Sequence, residues 1–367
     1  MVVELQRSGN VDFDRETADC LGRLCHGHLE GEYVLLADPR VLGDLADYAS
    51  PRFSEAIAAA QADMDQRWSE IVSLRDKCAL RVMVEFDGEP CDIERAETGG
   101  EVIRLSLRDF ETQFNASRPL ILLENRDDWR VYEIVRDWYV NHEIGGVTDI
   151  QWQYEVRGAG GSTLAQEIRG TTGRFGVAIA DRDVVYCGGP LGSTAEAAIE
   201  AAANHRTIVL VLTPCRSIES LVPCSFLLEV CKLGEETMLR LKRVSSIYNA
   251  FPRLPLYFSY KKQLLAVSIA ADTSEGSSAI SSLIAAGVAP ANASQCTHRN
   301  RCGCKSCCVS LCDAPLQKAV KHFADHASGN EFLLVDRHLS GELREMWQWV
   351  GSVVFAATVS QHPVRAT

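Results

Sequence analysis

The chain has 367 residues, a net charge of −12 at pH 7, and 46% hydrophobic and 23% charged residues, which is the composition of an ordinary globular protein. This length predicts two or three domains. An apolar run of about 18 residues, the minimum for a transmembrane helix, does not occur. The first residues do not combine a basic segment with an apolar one, so a secretory signal is not expected. We therefore expect a cytoplasmic protein without a membrane anchor.

The charge is distributed unevenly along the chain. Residues 1–115 carry 12 basic and 24 acidic side chains, residues 116–231 carry 10 and 15, and residues 232–367 carry 15 and 10. A polyanion such as a nucleic acid would therefore meet the most favourable surface in the last third. The acidic first two-thirds suits a protein partner at least as well as bare DNA. Chance variation along the chain is the alternative explanation.

The first 115 residues predict an α+β accessory domain. Residues 35–77 have the residue types and apolar spacing of helices, with a break at Pro51. Residues 79–86 predict a strand, and residues 101–107 predict its partner strand after a turn. This stretch carries no motif that indicates chemistry.

Residues 116–231 predict a parallel α/β sheet. Short apolar strands alternate with helical segments in this stretch, and the strands are predicted at 119–125, 148–156, 177–180 and 207–214. The alternating order with short loops predicts parallel strands covered by helices on both faces.

Acidic residues stand at the ends of two of these predicted strands. Glu124 ends the first strand, and Asp181 and Asp183 end the third. Because the carboxyl ends of parallel strands share one edge of the sheet, where such folds bind ligands, these three carboxylates can converge. Burying carboxylates is costly unless a cation neutralises them, and oxygen ligands suit Mg²⁺ or Mn²⁺ rather than zinc.

The sequence LLENRDDW at 122–129 resembles the first motif of Toprim domains, the catalytic module of topoisomerases, primases and related nucleases. In that motif a glutamate after an apolar strand is followed four residues later by an aspartate. Glu124 and Asp128 have this spacing, although Asn125 stands where many Toprim domains have glycine. The sequence AIADRD at 178–183 resembles the family's strand that ends in Asp-x-Asp.

Three further segments support the same resemblance. The loop GAGGS at 158–162 is similar to the glycine-rich loop of standalone Toprim proteins of phage defence and of overcoming-lysogenization-defect nucleases. The sequence CRSIESLVP at 215–223 resembles their later Arg-x-Ile-Glu-x-x-x-Pro segment, which places Glu219 near the same site. The sequence MWQWVGSVVFAAT at 346–358 resembles a closing helix with Trp-x-x-x-Gly in some of these chains.

The resemblance implies a Toprim (Rossmann-like) fold for residues 116–231 and a metal-dependent nuclease that cleaves phosphodiester bonds. Two metal ions can stabilise the attacking and leaving oxygens of such a reaction. Glu124, Asp181 and Asp183 would bind Mg²⁺ or Mn²⁺, and the catalytic set would add Asp128 and Glu219. The expected role is an effector of bacterial anti-phage defence, with DNA favoured over RNA as substrate.

The resemblance also implies a separate ATPase sensor protein as partner, because standalone Toprim proteins often work beside one. A P-loop pattern does not occur in this chain, so it is not expected to be its own ATPase. Whether the protein forms a homo-oligomer stays open. One alternative function is a catalytically degenerate Toprim fold that serves as a zinc-stabilised binding or regulatory subunit. A second alternative is a Rossmann-like domain whose carboxylates only cap helices and end strands.

The last third, residues 232–367, predicts helices around a cluster of potential metal ligands. The cluster consists of Cys296, His298, Cys302, Cys304, Cys307, Cys308 and Cys312. Four of these side chains could hold a structural zinc, and the Cys-x-x-Cys pair at 304 and 307 would supply two of them. Unliganded thiols and an iron–sulfur cluster are the alternatives, and disulfides are not expected in the cytoplasm.

Overall fold

The structure of the protein, a computed structural model, describes most of the first two-thirds of the chain and its C-terminal helices. The described ranges are 1–6, 14–86, 92–95, 101–107, 118–145, 150–184, 190–203, 207–230, 331–339 and 341–364, together with single residues and pairs between them. The fold is α/β, with parallel sheets flanked by helices, and it is compatible with a Rossmann-like architecture. Within the described ranges, no helix is long and apolar enough to cross a membrane.

The first sheet is built from the N-terminal part of the chain. Its strands are Val2–Gln6 (β1), Val34–Leu36 (β2), Leu80–Glu85 (β3), Asp92–Arg95 (β4) and Glu101–Ser106 (β5), in the spatial order β2-β1-β3-β5-β4. The strands β2, β1, β3 and β5 are parallel, and β4 is an antiparallel edge strand. The helices that connect these strands are Arg15–Leu29 (α1), Pro39–Ala46 (α2) and Pro51–Lys77 (α3).

Two predictions for this region need correction. The predicted strands 79–86 and 101–107 do pair, but in parallel, because β4 folds back on the outer edge of β5 and reverses the chain between them. The region is therefore a mostly parallel α/β layer rather than an α+β domain. The second correction concerns Val34–Leu36, which overlaps the predicted helical stretch but forms the fully buried strand β2. Three apolar residues do not carry enough periodicity to separate a strand from a helix.

The second sheet contains the predicted parallel strands of the central region. They are Leu120–Leu123 (β6), Glu155–Gly158 (β8), Gly176–Ala180 (β9) and Ile208–Leu212 (β10), in the order β10-β9-β6-β8. All of these pairings are parallel. The predicted strand 148–156 is divided, because Ile150–Trp152 (β7) pairs antiparallel with the C-terminal strand Val359–Gln361 (β13) instead.

Helices cover both faces of the second sheet. On one face lie Leu164–Gly170 (α5) and Ser193–Ala203 (α6), which pack against Leu120, Leu122 and Ala178. The other face, with Ile121 and Leu123, packs against Trp129–Tyr139 (α4) and the C-terminal helix Gly341–Thr358 (α9). A π-helical turn, Val140–Ile144, continues α4. The alternation of side chains along each buried strand supplies both faces.

The remaining elements belong to the C-terminal third and its approach. They are Cys224–Val230 (α7), Leu264–Leu265 (β11), Cys308–Val309 (β12) and Glu331–Asp336 (α8). Apart from Cys308, the metal-ligand cluster predicted between Cys296 and Cys312 lies outside the described residues, and nothing is described of the Cys308 side chain. Zinc, iron–sulfur and free-thiol states of this cluster all remain predictions.

The C-terminal strand β13 is bonded to the N-terminal helices. The Gln361 side chain donates a hydrogen bond to the His28 carbonyl at 2.8 Å and accepts one from Arg67 Nη1 at 2.9 Å. His28 is fully buried, and its Nδ1 accepts a hydrogen bond from the Leu35 amide at 3.1 Å. The end of the described chain is thereby joined to both α1 and α3.

Candidate active site

Glu124 and Asp181 lie side by side at the carboxyl edge of the second sheet. Glu124 directly follows β6, Asp181 directly follows β9, and these two strands are neighbours. From β6 the chain passes first to β8 on one side and then to β9 on the other, so this edge is the topological switch point where α/β sheets bind ligands. The Asp181 amide donates a hydrogen bond to Glu124 Oε1 at 3.0 Å.

Asp181 stands at the centre of the acidic group. Its Oδ1 accepts a hydrogen bond from the Ile218 amide at 3.0 Å. The carboxyl group is partly exposed at the rim of the site but densely surrounded by protein, and this burial raises its pKa well above the usual range. The remaining predicted site carboxylates raise the pKa of Asp181 further through their negative charge; in decreasing order they are Glu124, Glu219, Asp128 and Asp183. The structure therefore brings all five predicted residues into one electrostatic neighbourhood.

Asp183 is held in an unusual backbone conformation. Its φ is 52°, a left-handed value that a side chain with a short polar group tolerates better than most. Its amide donates a hydrogen bond to the Arg216 carbonyl at 2.8 Å. On its other side, a Cβ at Gly192 would stand only 2.4 Å from Asp183 Cβ, so only glycine fits there. Strain of this kind is frequently found at functional sites.

Glu219 reaches the site from the segment that follows β10. It lies in the short 3₁₀ turn Ile218–Leu221 and is only 2% exposed. The Thr213 amide, at the start of this segment, donates to the Ala180 carbonyl at 2.9 Å. Together with the Asp181 and Asp183 hydrogen bonds, this contact fixes the segment across the end of β9.

Arg216 in the same segment is the cation that faces these acids. It is 8% exposed, and burial lowers its pKa while the charges of Asp183 and Glu219 act in the opposite direction. The guanidinium group is therefore placed to balance part of the acidic charge or to contact a phosphate.

Asp128 lies at the beginning of α4, in the 3₁₀ turn Arg126–Asp128. The preceding residue Asn125 accepts a hydrogen bond from the Asp127 amide at 3.2 Å and donates one to Asp128 Oδ1 at 3.3 Å. The residue that departs from the Toprim pattern thus caps the turn and orients Asp128.

The glycine-rich loop 158–162 lies against Glu124. Gly160 has a φ of 72°, which favours glycine. A Cβ at Gly161 would stand 3.4 Å from Glu124 Oε2 and 3.8 Å from Thr194 Oγ1. A larger residue at 161 would crowd the Glu124 oxygen that does not bind the Asp181 amide.

Two further residues of the site did not emerge from the sequence. The Ser217 hydroxyl is buried and has no hydrogen-bond partner within the described part of the chain. Tyr132 is 3% exposed, and its pKa is raised by burial and then by the negative charges of Asp181 and Asp128. Ser217 could have been identified from its place two residues before Glu219, whereas Tyr132 has the helical spacing of an ordinary core residue.

The donor set fits a hard divalent cation in chemistry, although a preformed ligand shell is not present. Among the residues that the structure describes, no three His, Cys, Asp or Glu side chains are gathered as a metal site. Glu124 and Asp181 bind backbone amides instead. All the donors are oxygens, as Mg²⁺ and Mn²⁺ prefer.

The arrangement suits a reaction on an anionic substrate that enters the acidic site together with a cation. A neighbourhood of five carboxylates repels a phosphate, so a phosphate could enter only with its charge balanced by a divalent cation and by Arg216. The chain matches no protein-family model, no curated protein and no solved structure.

Proposed function

We propose that the chain is a Toprim-type, Mg²⁺- or Mn²⁺-dependent nuclease, and that it hydrolyses phosphodiester bonds of nucleic acid, with DNA favoured over RNA. The observation that carries this proposal is the environment of Asp181. This residue lies at the switch point of a parallel sheet, in contact with Glu124 through its amide, and under the negative charge of four other carboxylates. Perturbed acids grouped at a ligand-binding edge are typical of functional sites.

Glu124, Asp181 and Asp183 would hold the cation, which supplies Lewis-acid stabilisation of the phosphate oxygens. Glu124 Oε2 faces the glycine loop, and we assign it the role of taking a proton from an attacking water. Arg216 would contribute positive charge where negative charge develops on the phosphate. Protons compete with the cation for Asp181, whose pKa is raised, so substrate cleavage would weaken and need more cation as the pH falls.

The wider role that we propose is an effector of bacterial defence against phage that works with a separate ATPase. The support for this role is the resemblance of residues 117–231 to standalone Toprim proteins and the lack of a P-loop pattern in the sequence. The acidic balance of the first two-thirds of the chain suits contact with a protein partner.

A second candidate is a catalytically degenerate Toprim fold that acts as a zinc-stabilised binding or regulatory subunit. The observation that favours it is that Glu124 and Asp181 are hydrogen-bonded to backbone amides and, among the described residues, are not gathered with a third side chain into a ligand shell. The two candidates differ in whether these carboxylates take up a cation when one is offered.

The test is a cleavage assay on supercoiled plasmid DNA and on RNA, with Mg²⁺, Mn²⁺ or a chelator. We expect metal-dependent cutting by the wild type and none by Glu124→Gln or Asp181→Asn. Asp127→Asn is the matched control, because Asp127 is an exposed acid in the same turn as Asp128 but outside the acidic group. Cutting that survives both site substitutions would refute the site assignment. No cutting under any condition, even with a candidate ATPase added, would favour the second candidate.

A further inference from the structure

The C-terminal helix α9 contacts two elements that carry site residues. Its Trp347 is 1% exposed, and the indole Nε1–H donates a hydrogen bond to the Leu221 carbonyl at 2.7 Å. Leu221 ends the 3₁₀ turn that contains Glu219. A hydrogen bond from α9 therefore holds the turn that brings Glu219 to the acidic group.

The same side chain packs against the C-terminal end of α4. The ring of Trp347 meets the ring of Trp138 edge to face, with centroids 5.8 Å apart and an interplanar angle of 88°. A Cβ at Gly351, one helical turn further along α9, would stand 2.5 Å from Tyr139 Cβ, so the two helices cross in close contact. Trp347 is thus confined between α4 and the 218–221 turn.

Trp138 has the same side chain as Trp347, but its indole N–H donates to a different element. Its Nε1–H donates a hydrogen bond to Asp336 Oδ1 at 2.8 Å, which lies in α8 and not in an element of the site. The two tryptophans are both fully buried and contact each other. They differ in that only the Trp347 indole is bonded to the turn of Glu219.

We propose that Trp347 is a positioning residue for the candidate site. Its indole N–H holds the Leu221 end of the Glu219 turn against α9, so that the Glu219 carboxylate keeps its place beside Asp181 and the cation. Residues that orient the ligands of a metal act without touching the metal themselves. This inference rests on the proposed function, because it presupposes that the acidic group binds Mg²⁺ or Mn²⁺.

The test compares Trp347→Phe with Trp138→Phe in the full-length chain. Both variants keep an aromatic ring and remove one buried N–H donor. The readout is the Mg²⁺ concentration at half-saturation, measured both by the Mg²⁺-induced rise in melting temperature and by the rate of plasmid cleavage. We expect Trp347→Phe to raise it on the order of tenfold, as loss of a ligand-orienting partner does, while Trp138→Phe leaves it unchanged at a similar loss of metal-free stability.

Replacement of Trp347 by 3-benzothienylalanine removes the N–H but keeps the bicyclic ring. This second variant is used for the same measurements if Trp347→Phe does not fold. This variant is expected to raise the Mg²⁺ requirement in the same way. Unchanged Mg²⁺ half-saturation in the Trp347 variants, or an equal change in Trp138→Phe, would overturn the positioning role while leaving the proposed function intact. A wild type that neither binds Mg²⁺ nor cleaves would overturn both.

Discussion

The two sheets share the order of their parallel strands but differ in what their acidic side chains are bonded to. In the first sheet β1 lies between β2 and β3, and in the second β6 lies between β8 and β9, so each sheet has a switch point after its first strand. In the first sheet, two acids on described strands are paired with arginines: Glu4 lies 3.4 Å from Arg81, and Glu85 is bonded to Arg104. In the second sheet, Glu124 and Asp181 bind backbone amides.

This difference shows that strand order supplies an edge for a ligand, while the residues at the strand ends decide whether the edge has a function. Ion pairs neutralise Glu4 and Glu85 of the first sheet within the protein. The acids of the second sheet act on one another, as the raised pKa of Asp181 shows. Residues 7–13 and 87–91, which come after β1 and β3 in the sequence, lie outside the described residues.

The largest expected difference between the two sheets is the loss of cleavage rate when a carboxylate is removed from each. Glu124→Gln is expected to lower the rate of metal-dependent cleavage on the order of 1,000-fold, because it removes both a cation ligand and the proposed proton acceptor. Glu85→Gln, at the end of β3 in the first sheet, is expected to leave the rate within about twofold of the wild type. The measurement is single-turnover cleavage at saturating Mg²⁺, and equal losses in both variants would contradict the account.

Arg216 is expected to affect cation binding and catalysis in opposite directions. Arg216→Gln should lower the cleavage rate about 100-fold, because positive charge near the phosphate is lost. The same change should strengthen Mg²⁺ binding, because a cation that opposes Mg²⁺ next to Asp183 and Glu219 is removed. Calorimetric titration with Mg²⁺ alone separates the two effects. Weaker Mg²⁺ binding in Arg216→Gln would show that the arginine orders the site instead.

A substitution at Gly192 tests whether the backbone conformation of Asp183 matters for stability and activity. Gly192→Ala is expected to destabilise the protein by about 2 kcal/mol and to lower activity roughly tenfold, since its Cβ would collide with that of Asp183. Gly170→Ala is the matched control, because a Cβ at Gly170 has no atom within 4 Å. Urea unfolding and cleavage rates measure both effects, and similar behaviour of the two variants would remove Asp183 from the site.

The smallest expected effect concerns stability and pH. Because the folded protein raises the pKa of Asp181, the stability that its neutral form provides is present at low pH and is lost as the pH rises through that raised pKa. Asp181→Asn keeps a neutral side chain that can still accept the Ile218 hydrogen bond. Above the raised pKa it should therefore be more stable than the metal-free wild type by on the order of 1 kcal/mol.

Thermal unfolding in a chelator across a pH series measures this effect. The melting temperatures of the wild type and Asp181→Asn should coincide at low pH and separate as the pH rises. Added Mg²⁺ should stabilise the wild type alone. Parallel curves at every pH would contradict the raised pKa.

The second sheet and the meeting of Glu124 with Asp181 could be predicted because both depend on local signals. Continuous apolar runs end in acids, and parallel strands bring their carboxyl ends to one edge. The strands and pairing of the first sheet could not be predicted from local sequence signals in the same way. The strand β2 has only three residues, and the parallel pairing of β3 with β5 depends on β4 turning back, which no local pattern specifies.

The finer parts of the site depend on long-range packing. Arg216 and Ser217 stand in the segment 215–223, but only the fold places Arg216 beside Asp183 and buries the Ser217 hydroxyl. The contact between Trp347 and Leu221 joins residues 126 positions apart. Helical periodicity predicts that Trp347 is buried in a helix, but not which carbonyl its indole meets.

The most direct test of the central claim is calorimetric titration of the purified, metal-free protein with Mg²⁺ in two buffers of different ionisation enthalpy. We predict saturable binding with release of a proton at a pH below the raised pKa of Asp181, because the carboxyl group must ionise to bind the cation. Asp181→Asn should abolish that proton release together with the binding. Saturable binding that Asp181→Asn leaves unchanged, or no binding by the wild type, would contradict a metal site at the switch point.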